Sequence, residues 1–444
     1  MWVEKLSIKN IKCFQTLDIP FGSSKKRYSW ITLLGENGVG KSTILQSLGL
    51  LLAGPEAAKE LLSRPTGWVQ DPSEPGKLSI TIHRENEDAG VFGEEKVRRA
   101  FTYSYSVTGD GPVKVGSQTY TEPVLIETPS GILSWLRTNA FASRSQGGWF
   151  AAGYGAFRRL TRVSQVLIPR LDQPTRASNF RAQFDEDQSL NSFERWMVYL
   201  DFRQAKDSTD VQAKRMREVG ERAITGLLPG IVKIAEVTSD GLIIFEVNNR
   251  KVPTISLSDG FRSVIALSGD LIWRLLQAFP DIDDPTQASG VVLIDELDIH
   301  LHPAWQKNIA SWLQKVFPNL QFFVATHSPF VAIGAGSDAL TLHLESSEDG
   351  EIKITPSPDL STYDVDRALR SSAFGLKSTY SPQTDKKMQE YHALRRKRQT
   401  LSGEEKARYD QLELFMKDAR PIESLPVPGS LEARVDAFLE EKLP

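Results

Sequence analysis

The sequence predicts an α/β fold that is organised around a phosphate-binding loop. Residues 35–43 read Gly-Glu-Asn-Gly-Val-Gly-Lys-Ser-Thr and fit the pattern G-x-x-x-x-G-K-[ST]. Residues 30–34, just before the loop, are apolar and partly β-branched, which predicts a buried strand. Residues 43–52, just after it, are rich in Leu and Ile and predict a helix that Gly54-Pro55 ends. Strand, glycine-rich loop and helix in this order are the context that the pattern requires.

Such a loop is suited to the phosphate groups of a nucleotide. Its glycines allow backbone N–H groups to surround phosphate oxygens at the N-terminus of a helix. Lys41 would reach the β- and γ-phosphates, and the hydroxyl of Ser42 would bind Mg²⁺. The expected contacts to ATP are Gly35, Asn37, Gly38, Gly40, Lys41, Ser42 and Thr43.

Composition and charge narrow the class of protein. The 444 residues are enough for one large domain with attachments, or for two to three domains. The formal net charge of -3 argues against bulk coating of nucleic acid, although it leaves room for local basic patches. Cys13, the single cysteine, cannot form an internal disulfide, and no apolar run is long enough to span a bilayer. We therefore expect a cytoplasmic protein without a membrane segment of its own.

The first half of the chain alternates between strand patterns and turns before a helical segment. Residues 2–19 predict two strands with a turn near residues 10–12. Short alternating strands in residues 78–125, separated by turns rich in Gly, Asp and Asn, predict an antiparallel sheet. Residues 149–155 predict another buried strand, and residues 191–228 have helical periodicity. This helical insertion lacks the sustained heptads of a long coiled coil.

A second strand that carries functional groups follows the insertion. Residues 291–294 are continuously apolar, as expected for a parallel strand buried on both faces, and Asp295 and Glu296 come directly after them. This is the pattern of a Walker B motif. Asp295 would hold Mg²⁺ through water, and Glu296 would orient and deprotonate the attacking water. His327 follows the apolar strand of residues 320–325 and could reach the γ-phosphate. The predicted catalytic residues are Glu296, His327 and Lys41.

Charged helical segments dominate the chain from residue 361 onward. Ser402 and Glu405 have the spacing of a capping box, and a Pro-rich break at residues 421–428 precedes a last predicted helix, residues 431–443. We interpret residues 361–444 as an appended helical module. Fewer than about 100 residues follow the predicted ATPase head, which is small for a second catalytic domain. Asp364 and Asp366 have the spacing of a nuclease motif but lie in a helical pattern, so we expect no nuclease domain in cis.

The ordered motifs together resemble the heads of ABC-type ATPases, and within that class the RecF/SMC/OLD-like branch. The segment Leu257-Ser258-Asp259-Gly260 occupies the place of the signature motif, although its third residue departs from the usual glycine. The opening of the chain, residues 6–14, is also similar to that branch. The resemblance implies an α/β head with a mixed sheet, an antiparallel β subdomain and a short helical insertion. The implied boundaries are 1–158 and 231–345 for the head, 159–230 for the insertion and 361–444 for the tail.

The same resemblance implies how such a head works. ABC-type heads dimerise around two ATP molecules, and each ATP touches the phosphate loop of one subunit and the signature of the other. Ser258 and Gly260 would make this contact in trans, the first with its hydroxyl and both at the N-terminus of a helix. The Q-loop residue stays open. The segment from Tyr154 to Arg158 lies near its expected place, whereas Gln146 lies before the strand rather than at its end.

Beyond the head, the plan of the chain resembles the stand-alone ATPases of bacterial anti-phage systems. It is similar to the Septu-type and retron-linked ATPases, with the ATPase of PARIS systems as a close rival. This implies an oligomer that acts as sensor and scaffold for a separate effector nuclease, with the tail helping assembly or docking. A repair ATPase of RecF type is the alternative, which would bind DNA through basic residues such as Lys25, Lys26 and Arg27. The ATP-binding subunit of a transporter is the least favoured class.

For three further groups of residues, we favour a structural role over ligand binding. His300 and His302, with Asp298 beside them, could suggest a metal site, but both histidines fall in the segment between Walker B and its helix, and no further ligand is evident. Residues 395–398 are basic, and a solvated helix face is favoured over nucleic-acid contact because acidic residues lie nearby. The aromatic residues Phe193, Trp196 and Tyr199 are assigned to packing rather than to base stacking.

Overall fold

The architecture was derived from a computed structural model of the chain. It describes residues 1–23, 26–84, 100–141, 150–156, 158, 175–185, 190, 192–228, 232–238, 241–347 and 349–419. The chain divides into two compact units, Met1–Phe374 and Gly375–Pro444. The predicted tail begins at residue 361, whereas the second unit begins at Gly375. None of the described helices is both long and apolar enough to cross a membrane.

The first unit contains all the strands described. In chain order they are β1 (Trp2–Ile11), β2 (Phe14–Pro20), β3 (Trp30–Gly35), β4 (Gly76–His83), β5 (Ala100–Val107), β6 (Val113–Val115), β7 (Gln118–Tyr120), β8 (Leu125–Glu127), β9 (Phe150–Tyr154), β10 (Val232–Val237), β11 (Ile243–Val247), β12 (Arg250–Pro253), β13 (Gly290–Ile294), β14 (Leu320–Ala325), β15 (Leu340–Ser346) and β16 (Ile352–Pro356).

Helices connect these strands and make up the described part of the second unit. They are α1 (Lys41–Ala53), α2 (Pro55–Leu61), α3 (Gly131–Asn139), α4 (Arg181–Phe184), α5 (Ser192–Lys206), α6 (Val211–Leu227), α7 (Asp259–Ala278), α8 (Pro303–Val316), α9 (Pro329–Gly334), α10 (Val365–Arg370), α11 (Pro382–Arg396) and α12 (Gly403–Ala419).

The central sheet has six strands in the order β16-β15-β3-β14-β13-β9. Strands β15, β3, β14, β13 and β9 run parallel, and β16 is antiparallel to β15. Every residue of β13 and β14 is buried, which explains why their sequences, apart from Gln321, are apolar rather than alternating. Because parallel strands end at the same edge, the loops after β3, β9, β13 and β14 meet there, and the candidate site lies at this edge.

The two faces of this sheet carry different cores. Successive residues of a strand point to opposite faces, so Val292 and Ile294 join one apolar cluster while Val291 and Leu293 join the other. The first cluster includes the helical insertion, and the second includes α1 and the antiparallel sheet, whose order is β2-β1-β4-β5-β8. The mixed sheet, the antiparallel subdomain and the helical insertion confirm the predicted fold class.

A buried glutamine joins the two sheets. Gln321 lies inside the apolar strand β14, and its side-chain oxygen accepts a hydrogen bond from the Val3 N–H at 2.7 Å. Its amide nitrogen donates to the carbonyls of Val3 and Tyr28, both at 3.3 Å. All of these polar atoms are therefore satisfied inside the core, as buried polar groups require.

The helical insertion packs its aromatic residues inward. Phe193 and Trp196 of α5 are fully buried, and the Trp196 ring stacks on that of Trp273 in α7 with centroids 6.2 Å apart. The indole N–H of Trp196 donates to the Gly269 carbonyl at 3.1 Å. Tyr199 is partly buried against the same cluster. Phe193 and Trp196 are thus core residues, as predicted.

The C-terminal helices differ in part from the prediction. Helix α10, with Asp364 as its N-cap, is shorter than the predicted segment and belongs to the first unit, where Leu360 and Ala373 pack with Leu34. In the second unit, the rings of Tyr391 and Tyr409 stack between α11 and α12. Ser402 and Glu405 exchange backbone and side-chain hydrogen bonds, which is the predicted capping box. The predicted helix at residues 431–443 lies outside the described residues.

An ion pair within α7 is joined to the end of β9 by a hydrogen bond from Tyr154. Asp270, which is 1% exposed, accepts hydrogen bonds from the Arg274 guanidinium and, at 2.9 Å, from the Tyr154 hydroxyl. Arg274 also donates to the side chain of Asn179 at 2.7 Å. The arginine therefore compensates a carboxylate that has almost no access to water.

Replacing Arg274 by Met should lower the free energy of unfolding by about 3–5 kcal/mol, because it leaves the buried Asp270 charge without its counterion. The measurement is chemical denaturation of the parent and the variant. The double variant Asp270→Asn/Arg274→Met is the control and should regain part of the loss. A single variant as stable as the parent would show that the pair does not hold α7.

Candidate active site

The glycines of the phosphate loop adopt backbone conformations that other residues rarely adopt, and two of them lie against neighbouring atoms. Gly35, Gly38 and Gly40 have φ angles of 150°, 83° and 91°, in the region that L-residues rarely adopt. A Cβ atom on Gly40 would lie 2.4 Å from the Phe14 ring and 2.7 Å from the Cys13 sulfur. One on Gly35 would lie 2.4 Å from the Leu344 carbonyl oxygen. The loop is thus closed against the turn between β1 and β2 on one side and β15 on the other.

The ammonium group of Lys41 lies over this loop. Its Nζ atom donates to the carbonyls of Gly35 at 2.9 Å and Glu36 at 2.8 Å. Burial lowers the pKa of Lys41, and the charges of Asp295, Glu296 and Asp298 act in the opposite direction. The structure thus brings the lysine of the loop into electrostatic contact with the acidic residues that follow β13.

Asp295 is buried at the end of β13. Its backbone N–H donates to the Tyr154 carbonyl at 2.9 Å, and its side-chain Oδ1 is buried with no hydrogen-bond partner among the described residues. Burial raises the pKa of Asp295, while hydrogen bonding from Ser42 and the charges of Arg158 and Lys41 lower it. A carboxylate oxygen without a protein partner, next to an exposed hydroxyl, fits the ligands that Mg²⁺ prefers. The residues present therefore fit this metal.

Glu296 follows in an unusual backbone conformation. Its φ angle is 46°, in the left-handed region, and its side chain is half-buried. The neighbouring Arg158 is 4% exposed and donates to the carbonyls of Asp295 at 2.5 Å, Glu296 at 2.7 Å and Gly155 at 2.8 Å. Burial lowers the pKa of Arg158 to about 10, although three nearby carboxylates oppose this. Arg158 thus joins the loop after β9 to the turn after β13.

The end of β14 is tied to the same turn. The Thr326 hydroxyl donates to the Asp298 carboxylate, and the Leu297 N–H donates to the Ala325 carbonyl at 3.2 Å. The Ser328 N–H donates to Thr326 Oγ1 at 3.0 Å. The backbone on both sides of His327 is therefore fixed, and its imidazole is exposed.

Of the candidate metal ligands Asp298, His300 and His302, two make hydrogen bonds that stabilise the local structure. Asp298 is the acceptor of Thr326, and His302 Nδ1 accepts the Ala304 N–H at 3.3 Å as the N-cap of α8. In the described part of the chain, His, Cys, Asp and Glu side chains form no group of three or more that could hold a metal ion.

The predicted signature residues lie at the start of α7. Ser258 is the N-cap and is exposed, without a side-chain capping bond. A Cβ atom on Gly260 would lie 2.9 Å from the His300 carbonyl oxygen, so the start of α7 packs closely on the turn after β13. The Asp259 carboxylate, which stands where a glycine is common, lies 3.4 Å from Arg262.

Sequence reasoning missed several residues of this site. Arg158 was noted only as part of a segment near the expected Q-loop, and its partners are 137 and 138 positions away. Gln306, whose side-chain oxygen accepts the Ser328 hydroxyl at 2.7 Å, was not singled out. The sequence does offer one indication of Gln306, since it is a polar residue on the inner part of an amphipathic helix. The candidate Gln146 lies outside the described residues, so the Q-loop residue stays open.

Comparison with known proteins gives a family and several relatives. The family described as AAA domain, putative AbiEii toxin, Type IV TA system, matches residues 31–333. A Septu protein PtuA of Bacillus mycoides (strain KBAB4) is 27% identical over 85% of this chain and 45% of that protein. A retron Vc95 probable ATPase of Vibrio cholerae serotype O1 biovar El Tor is 25% identical over 76% of this chain and 73% of that protein. The chain thus spans less than half the length of the first of these relatives.

A solved structure, that of the SmcHead bound to the C-winged helix domain of ScpA, has a TM-score of 0.48 and 18% identity to this chain. It covers 80% of this chain and 97% of its own. The relatives confirm the predicted resemblance to the ATPases of Septu and retron systems.

Replacing Lys41 by Ala should reduce ATP affinity about 100-fold or more, because a charged donor to the phosphates is worth roughly 1.5–3 kcal/mol for each hydrogen bond. Equilibrium titration with a fluorescent ATP analogue measures this. Lys59→Ala, at an exposed position of α2, is the matched control and should bind as the parent does. Equal affinity of both variants would exclude Lys41 from the nucleotide site.

Proposed function

The chain belongs to the family described as AAA domain, putative AbiEii toxin, Type IV TA system, and on this premise we propose that it is an ATP-hydrolysing switch of anti-phage defence. It binds ATP with Mg²⁺, forms a dimer or higher oligomer around the nucleotide and controls a separate effector nuclease. The observation that carries the ATPase assignment is the convergence of Lys41, Asp295 and Glu296 at one edge of a parallel sheet.

Different residues at this edge bind the phosphates and Mg²⁺. The backbone N–H groups of the loop and the ammonium of Lys41 bind the phosphates, and the N-terminus of α1 adds its positive dipole. Ser42 and Asp295 hold Mg²⁺, Asp295 through water. When bound, the ion neutralises charge on the β- and γ-phosphate oxygens. Gly35, Asn37, Gly38, Gly40 and Thr43 complete the phosphate contacts.

The hydrolytic roles fall to two other residues. Glu296 orients the attacking water and accepts its proton, and the fixed turn keeps its carboxylate at the sheet edge. His327, with an exposed imidazole on a fixed backbone, contacts the γ-phosphate once the site is closed.

Ser258 and Gly260 act on the ATP of a second subunit. The exposed N-cap of α7 has no side-chain capping bond, so its hydroxyl and the first N–H groups of the helix are available to a γ-phosphate from outside. Cleavage of that phosphate removes these contacts and loosens the pair, which makes hydrolysis a conformational switch.

The defence role rests on the names of the relatives, a Septu protein and a retron ATPase. In this proposal the second unit assembles the oligomer or docks the effector nuclease, which is a separate chain in the cytoplasm. The alternative is a RecF-like repair function, in which the chain binds DNA directly. The experiments below distinguish it from the defence role.

Glu296→Gln should lower the rate of ATP hydrolysis about 100-fold or more, the usual contribution of a general base. It should still bind ATP and accumulate as an ATP-bound dimer in size-exclusion chromatography with light scattering. Adding Ser258→Arg to Glu296→Gln should abolish the dimer and retain ATP binding, because the bulky side chain obstructs the trans contact. Hydrolysis at the parent rate would reject Glu296 as the base.

Removal of residues 375–444 should abolish recovery of the effector while ATP binding is retained. The cut follows Phe374 because residues 360–374 contribute to the core of the first unit. Tagged full-length and truncated Glu296→Gln are isolated from the native host, with and without nuclease treatment, and analysed by mass spectrometry. A nuclease-like protein retained only by the full chain supports the proposal. DNA and repair proteins that are lost on treatment would support the repair function instead.

A further inference from the structure

We infer that Arg158 is a positioning residue for hydrolysis: it holds the backbone of Glu296 so that the carboxylate faces the attacking water. The inference rests on the proposed ATPase function. It assigns a role in catalysis to a residue that would not itself touch ATP.

The first step of the argument is the conformation of Glu296. A non-glycine residue at a φ of 46° is held in a sparsely populated region of backbone conformation. Such a conformation persists only when surrounding contacts determine it. The Glu296 carbonyl accepts two hydrogen bonds, from Arg158 at 2.7 Å and from the Ile299 N–H at 3.2 Å. The shorter of the two comes from the arginine.

The second step is the set of partners that Arg158 has. Its Nη1 donates to the carbonyls of Asp295 and Gly155, and its Nη2 donates to that of Glu296. Burying a guanidinium at 4% exposure is costly unless its donors are paired, and here carbonyls of two separate loops pair them. A planar group with donors in fixed directions can join three carbonyls, whereas the ammonium of a lysine is a single point.

The third step is that the loop carrying Arg158 is itself anchored. Tyr154, at the end of β9, accepts the Asp295 N–H through its carbonyl and donates its hydroxyl to the buried Asp270. The guanidinium therefore connects the Glu296 turn to a part of the sheet that is fixed on both sides. Loss of the connection leaves ATP contacts from the phosphate loop in place but frees the base to move.

The test compares Arg158→Lys and Arg158→Met with the parent in steady-state ATP hydrolysis and in equilibrium ATP binding. A displacement of about 1 Å can cost on the order of 100-fold in rate, so kcat should fall about 10- to 100-fold in both variants. KM and the dissociation constant of a fluorescent ATP analogue should change less than about threefold, because the phosphate loop is unchanged. Arg158→Lys keeps the positive charge, so a lower kcat in this variant would show that the directions of the guanidinium donors matter.

A matched control separates positioning from general destabilisation. Arg176 is partly buried and also donates to three carbonyls, those of Leu52 and Ala53 at the end of α1 and that of Ala140 just after α3. Arg176→Lys should lower the melting temperature, because it also loses bonds to carbonyls, and should retain the parent kcat. If Arg158→Lys and Arg176→Lys lose kcat equally, Arg158 only stabilises the fold and has no positioning role.

The remaining outcomes also decide the matter. If the parent hydrolyses ATP and Arg158→Lys has the parent kcat, the positioning role is wrong while the ATPase function stands. Loss of ATP binding in proportion to kcat would likewise overturn it. If the parent chain binds no ATP or does not turn it over, the proposed function fails, and this role fails with it.

Discussion

The burial of charge at one edge of the central sheet is the constraint on which the rest of this structure depends. Lys41, Asp295 and Arg158 are each at most 9% exposed, and ionised groups removed from water are costly unless they are paired. The two cations, Lys41 and Arg158, are paired with backbone carbonyls rather than through ion pairs in direct contact. Carbonyl groups can serve in this way only when their strands end at fixed positions. The rigidity of the parallel sheet is therefore a condition for the chemistry of its edge.

That rigidity comes from two cores that share the same strands. Trp30, Phe322 and Val324 belong to the cluster that includes the helical insertion, whereas Ile31, Phe323 and Ala325 belong to the cluster that includes α1 and the antiparallel sheet. A displacement of β13 or β14 would disturb both cores at once, and close-packed interiors resist such changes. Gln321 adds a polar connection between the sheets at a position where an apolar residue would leave the Val3 N–H unsatisfied.

The sequence could reveal the residues whose partners are local, but not those whose partners are distant. The phosphate loop was predictable because strand, glycines, lysine and helix are contiguous, and Asp295 and Glu296 because they end an apolar strand. Arg158 could not be assigned, since its acceptors lie at Asp295 and Glu296 and are carbonyls, which every residue has. The start of the second unit was equally hidden, because residues beyond 361 pack on Leu34 through tertiary contacts that composition does not show.

The close contact between the start of α7 and the turn after β13 gives the proposed switch a physical route. Gly260 allows the helix to approach the His300 carbonyl so closely that even a methyl group would collide. His300 itself has a φ angle of 66°, and the turn between Glu296 and His300 thus contains two residues in the left-handed region. The segment that would carry the base for one ATP therefore touches the helix whose N-cap, Ser258, would contact the ATP of the partner. A change in the turn on loss of the γ-phosphate cannot be absorbed by a flexible side chain at this contact, because both surfaces are backbone. Such a change in the turn would either move α7 or be opposed by it. The hydrogen bond between Asp270 and Tyr154 holds the same helix further along. In the proposed switch, hydrolysis at one site would thus be coupled to ATP contact at the other through main-chain packing.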